Sequence, residues 1–154
     1  MLGRFKKRDI MAGEMLFGER LELGQIFRDT SMPDIERTKA VIRCLHEVTV
    51  SDKAALLLMP YAIEVAEAFV KWKEREEQEC YVEPQEEARQ AGVEKMAQAC
   101  GDYAGVVDLA ERFGYSFEQV YKMQYKDVFA IWKVDAERAK FQRRLHSVLQ
   151  KKKS

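Results

Sequence analysis

Proline and glycine are scarce in this chain, three and eight of 154 residues. That excludes collagen-like and low-complexity chains, and argues against a turn-rich all-β domain. Cysteine is equally sparse. Cys44, Cys80 and Cys100 are odd in number and widely spaced, so no disulfide framework is expected. They read as reduced, mostly buried thiols of a cytoplasmic protein. There are two histidines, His46 and His146, and no CxxC, HxxxH or HExxH pairing. No structural or catalytic zinc site is therefore expected. Gly101 and Gly105 lack the lysine and hydroxyl of a phosphate-binding loop. The longest apolar run, Ala54 to Met59, is far too short to cross a bilayer. No long apolar run follows the basic start, so no signal segment is read there. No serine or cysteine has an evident base partner, and the carboxylates fall in helical glutamate runs that look solvated. The chain thus reads as a non-enzyme without metal or cofactor.

What is present is a chain 47% hydrophobic and 34% charged, globular and long enough to bury a core. Alanine, leucine, glutamate, lysine and arginine dominate, which favours helices. The net charge is zero but unevenly placed. Arg4, Lys6, Lys7 and Arg8 open the chain. Arg138, Lys140, Arg143, Arg144, Lys151, Lys152 and Lys153 close it, with no acid among residues 138–154. The middle is acidic, densest in Glu74, Glu76, Glu77, Glu79, Glu83, Glu86 and Glu87. Such polarity suits solvated helix faces and a frayed tail, and it can also orient partners or drive self-association.

Along the chain, Gly3, Gly13 and Gly18 break helical patterning, so residues 1–18 read as a flexible arm or a short hairpin. A short helix is expected over Glu19–Arg28. Ser31-Met32-Pro33-Asp34 starts a second, running to about His46. Ser51 caps a third, which Pro60 should kink or split. Its continuation sets Ile63, Ala66, Phe69, Val70 and Lys73 along one stripe. Pro84 opens a helix that ends near Cys100, with Gly101 as its stop. The last helix runs from Tyr125 to about Leu149, and 150–154 reads as a disordered tail. Phe69, Phe129 and Trp132 are expected among the most buried aromatics. There is no internal repeat and no long strand-like alternation. The expectation is one all-α domain over 1–154, an irregular bundle of about six or seven helices, with a possible hinge around 76–87.

Residues 105–132 carry the cadence of a helix-turn-helix. Leu109 and Ala110 lie in a first helix, Gly114 at the turn, and Ser116 with Gln119 forms a capping box. Phe117, Glu118, Tyr121 and Lys122 would face a groove. Yet Asp102, Asp108, Glu111 and Glu118 outweigh Arg112 and Lys122. That speaks against a phosphate-binding surface, and favours a helix pair packed into the core. A DNA-associated alternative would use Lys122, Arg143, Arg144, Lys151, Lys152 and Lys153.

Loose patterns spread over most of the chain resemble the tail assembly chaperones of long-tailed phages, in the versions found in Bacteroidetes phages and prophages. They are Ala12-Gly13-Glu14 leading to Gly18-Glu19-Arg20-Leu21-Glu22-Leu23-Gly24, then Cys44-Leu45-His46 ahead of the proline-broken helix. Phe113-Gly114-Tyr115-Ser116 to Val120 and Met123-Gln124-Tyr125-Lys126-Asp127-Val128-Phe129 complete them. The resemblance implies a cytoplasmic, non-enzymatic protein that binds the aggregation-prone tape-measure protein and recruits tail-tube subunits. It implies no cofactor and no membrane. Aromatic and methionine side chains suit such contacts, and Met11, Met15, Leu16, Phe17, Tyr121 and Tyr125 are the candidates. A structural virion component, such as a head–tail connector, is a further alternative.

Overall fold

The computed structural model describes residues 5–154. Among these, eight α-helices and one π-helical turn form an irregular all-α bundle: α1 Phe17–Arg28, α2 Asp34–His46, α3 Asp52–Arg75, the π-helical turn Glu76–Cys80, α4 Glu86–Gln90, α5 Val93–Cys100, α6 Tyr103–Phe113, α7 Phe117–Tyr121 and α8 Tyr125–Lys153. The only strand-like pairing among them is an isolated bridge between Leu16 and Gln124. The fold class is as expected from composition and periodicity, with one helix more.

Local signals explain most boundaries. The Ser51 hydroxyl accepts from Ala54 N–H at 3.2 Å and starts α3. Ser116 and Gln119 close a reciprocal capping box on α7, satisfying donors that a bare helix end leaves free. Gly101 and Gly114 end α5 and α6. Three expectations are corrected. Ser31 does not cap α2: its hydroxyl binds Asp29 at 2.6 Å, and Pro33 occupies the cap position. The single helix expected from Pro84 to Cys100 is two, because Gly92 adopts φ +86° between them, a conformation open to glycine at little cost. Pro60 does not split α3, which continues from Asp52 to Arg75. Pro60 lies on the exposed side, and the carbonyl it deprives of a donor belongs to exposed Leu56.

The core is built from one face of each long helix. α3 contributes Leu58, Tyr61, Ala62, Val65, Ala68, Phe69 and Trp72, and α2 packs along it through Val41, Ile42 and Leu45. α1 lies against α2, α3, α7 and α8. Gly18 permits the close α1–α7 approach, since a Cβ there would sit 2.9 Å from Tyr121 Cβ. α8 enters the core with Tyr125, Val128, Phe129 and Ala136. Each fully buried side chain of this size contributes about 1.5–3 kcal/mol. Trp132, expected among the most buried aromatics, is only half-buried; one edge meets Phe17 at a 5.5 Å centroid distance. Trp72 takes the central role instead, with Tyr125 and Phe129 set edge-on at 5.1 and 5.2 Å.

The arm expected over residues 1–18 is, from Phe5 onward, a strap tied to the bundle; residues 1–4 lie outside the described residues. Ile10, Met15 and Phe17 are buried. Trp72 Nε1 donates to the Ile10 carbonyl at 2.7 Å, and Phe5 stacks on His46 at 4.3 Å. No hairpin forms in it. Phe17 N–H donates to Met123 O, and Tyr125 N–H to Met15 O, at 2.8 and 3.0 Å. At the other end, residues 150–153, expected as a disordered tail, continue α8 as helix.

Candidate functional site

Two partly buried polar networks are the chemically richest places among the described residues. The first lies where α3 passes into the π-helical turn. Arg20 grips Glu76 with two bonds, Nε–Oε1 at 2.9 Å and Nη2–Oε2 at 2.8 Å, and Tyr125 Oη donates to Glu76 Oε1. The Arg20 guanidinium also lies 4.7 Å from the Phe69 ring centroid. Burial works against the Arg20 charge, but the Glu76 carboxylate outweighs it and holds the guanidinium above its ordinary value. Burial and the Glu76 charge push the Tyr125 phenol far up. Every member is satisfied, so the network locks α1, the turn and α8 together. Outside it, Lys133 binds Glu79 at 2.8 Å and Arg75 lies over the Trp72 and Phe129 rings. The hinge expected at 76–87 is therefore tied to α8 over its first five residues.

The second network secures the strap. Arg8 binds both Glu19 oxygens at 2.8 Å and the Leu45 carbonyl at 2.8 Å. Tyr61 Oη accepts from Arg8 N–H at 3.1 Å and lies 3.0 Å from His46 Nε2. Burial, reinforced by the Arg8 cation, holds His46 below its ordinary value. Burial raises Glu19 despite its bonds to Leu16 N–H and Arg8. Cys44 is pushed far up by burial and by Glu22 and Glu19, and Cys80 to about 11 by burial and Glu76. These are the opposite of the shifts that activate a thiol nucleophile. Among the described residues, no group of three or more His, Cys, Asp or Glu could hold a metal ion, and no helix is long and apolar enough to cross a membrane.

The residues singled out for partner binding do not form one surface. Met15, Phe17 and Tyr125 are core, at 1%, 1% and 0% exposure. The strap carries Met15 and Phe17 inward against the start of α8, where Tyr125 N–H donates to Met15 O. Met11 is exposed beside α3, at a shallow pocket with Lys71 and Glu74. Leu16 and Tyr121 are half-buried and share an open cleft of about 580 Å³ between α1, α6 and the end of α7. Of the nucleic-acid candidates, Lys122 stands apart from the other five, which all lie on the end of α8. Lys122 pairs with Glu118 at 3.0 Å beside the start of α8. Arg143 donates to the Glu83 carbonyl, eighteen positions further along α8 than Tyr125, about 27 Å of helix rise.

Sequence reasoning missed the outer face of α3. Leu56, Ile63 and Val70 recur at i, i+7 and i+14, each more than half exposed. They form an apolar line about 21 Å long. Ile63 and Val70 had been read as part of the same stripe as Phe69; only Phe69 faces inward. Beside this line, Met59, Ile63 and Ala66 open onto a cleft of about 190 Å³ whose far wall is Phe27 and Val41. Exposed Glu67, Lys71 and Glu74 lie along it. The signal was present as an excess: α3 is apolar around more of its circumference than one core contact requires.

The fold is thus an irregular all-α bundle whose clefts are open and apolar-floored. The chain matches no family model, no curated protein and no solved structure.

Proposed function

We propose that this protein is a non-enzymatic assembly chaperone that holds an amphipathic helix of a client along the outer face of α3. The observation that carries the reading is the uncovered line Leu56, Ile63 and Val70 with the Phe27–Met59 cleft beside it. Helix-in-groove recognition uses anchors at this spacing with a pocket for one of them. The heptad interval matches the seam of a left-handed helix pair, and the mixed charges of Glu67, Lys71 and Glu74 occupy bordering positions. The identity of the client rests on the resemblance to phage tail assembly chaperones: a long, helical tape-measure protein, with tail-tube subunits recruited to it in the host cytoplasm.

The test is co-expression with a long helical tape-measure protein. The wild-type chain should keep that protein soluble and co-purify with it. Ile63→Glu with Val70→Glu should reduce recovery roughly tenfold or more, as expected when central apolar anchors are lost. Circular dichroism should be unchanged, since both side chains are exposed. Co-purification indifferent to the pair, or stoichiometric retention of the chain in finished particles, would contradict the proposal and favour a structural virion component.

A further inference from the structure

The end of α8 is a second helix face without a partner, and it differs from α3 in charge. From Phe141 onward no residue of α8 is buried, yet Phe141, Leu145, Val148 and Leu149 stand at i, i+4, i+7 and i+8. That is the apolar stripe of a helix that packs on something. Arg138 and Lys152 lie on the same side, Arg144 and Lys153 flank it, and residues 138–154 carry no acid. Two such ends would repel each other, so the stripe calls for an acidic surface with an apolar floor. The molecule has one. The open cleft between α1, α6 and α7 is floored by Leu16, Leu21, Val106 and Tyr121; its walls include Glu22, Glu47 and Asp102, the last paired with Arg28 at 2.9 Å, and Lys122 is the one cation among the lining residues.

The chain's own α8 cannot fill it. The cleft lies beside the end of α7, where α8 begins, and α8 runs unbroken from Tyr125 to Lys153. Phe141 is already about 24 Å of helix rise from Tyr125, and the last lysines about 40 Å. We infer that residues 141–153 of one copy dock, apolar stripe inward, in the α1–α6–α7 cleft of a second copy of this chain. Reciprocal docking closes a two-fold pair, whereas one-way docking extends a row. The inference is independent of the α3 reading: it uses other residues, and it holds or fails in the purified protein without a client.

Analytical ultracentrifugation of the full chain tests it. The chain should self-associate at low salt and dissociate as salt rises. Leu145→Asp should weaken association roughly tenfold or more, with helicity by circular dichroism unchanged because the site is exposed. A charge swap adds specificity. Glu22→Lys with Glu47→Lys in the cleft, and Arg144→Glu with Lys152→Glu in the helix, should each yield monomers. Mixing the two variants should restore association, since opposite charges then meet at both contacts. Monomers at every concentration and salt, or association unmoved by these substitutions, would overturn the inference. So would capture of the α8 end by anionic vesicles or random duplex DNA without self-association.

Discussion

The two halves of α8 are one continuous helix with similar apolar spacing and opposite fates. Tyr125, Val128, Phe129 and Ala136 are buried, whereas Phe141, Leu145, Val148 and Leu149 are open to solvent. The difference lies in what else reaches them. The inner half meets the π-helical turn, α1 and the strap. Among the described residues, the outer half's one hydrogen bond to another element is Arg143 to the Glu83 carbonyl. Apolar periodicity therefore records that a face is packed, and leaves open whether the packing partner is in the same chain.

Substitutions sharpen that contrast. The largest effect is expected at Phe129→Ala, about 3–5 kcal/mol of unfolding free energy by chemical denaturation, because the ring is enclosed by Trp72, Tyr125 and the Arg75 guanidinium. Next is Glu76→Ala, expected to cost about 3 kcal/mol in the same assay, since it strands a largely buried Arg20 charge. A loss below about 0.5 kcal/mol at either position would place the inner half at the surface and dissolve the comparison.

A third, smaller effect comes from the strap, which is covered on one side only. His46 is held below its ordinary value of 6.5 in the folded chain. The unfolded chain therefore binds that proton first. Stability should be full above the ordinary value and should fall as pH drops through it. Glu19, raised in the folded chain, works the other way: the folded state takes up its proton more readily, so stability gains as pH falls through the raised folded value toward the ordinary carboxylate one. Thermal unfolding across pH 5 to 8, roughly the histidine window, should lose its slope in His46→Gln. A slope unchanged by that substitution would show that the strap does not sense this proton. Smallest of all is Leu145→Ser in the outer half, within about 0.5 kcal/mol for the dilute monomer.

How far the sequence reached follows the same division. Most boundaries set by local chemistry were legible: Ser51, the Ser116–Gln119 box, Gly101 and Gly114 act as read, whereas Ser31 yields the cap to Pro33 and the break at Gly92 was not foreseen. What depends on tertiary contact was not. Alanine, leucine and valine line both sides of α3, so periodicity could not say whether Ile63 or Val65 faces inward. Met15 and Phe17 looked like contact residues because an irregular segment gives no sign of being strapped down, and Tyr125 because aromatic side chains suit a client helix. An aromatic body with a polar tip suits a core network and an interface equally. Trp72 went unnoticed because charged residues follow it, and Trp132 was expected in the buried place that Trp72 takes. The two proposed interaction surfaces are ones that no local motif marks.

The central claim is that the outer face of α3 takes the client and the end of α8 takes a second copy. Photo-crosslinking amino acids placed at position 63 and at position 145, in cells co-expressing the tape-measure-like protein, test both at once. The account predicts client adducts from position 63 and adducts of twice the chain mass from position 145. Client adducts from position 145 or from Met11, with none from position 63, would contradict it.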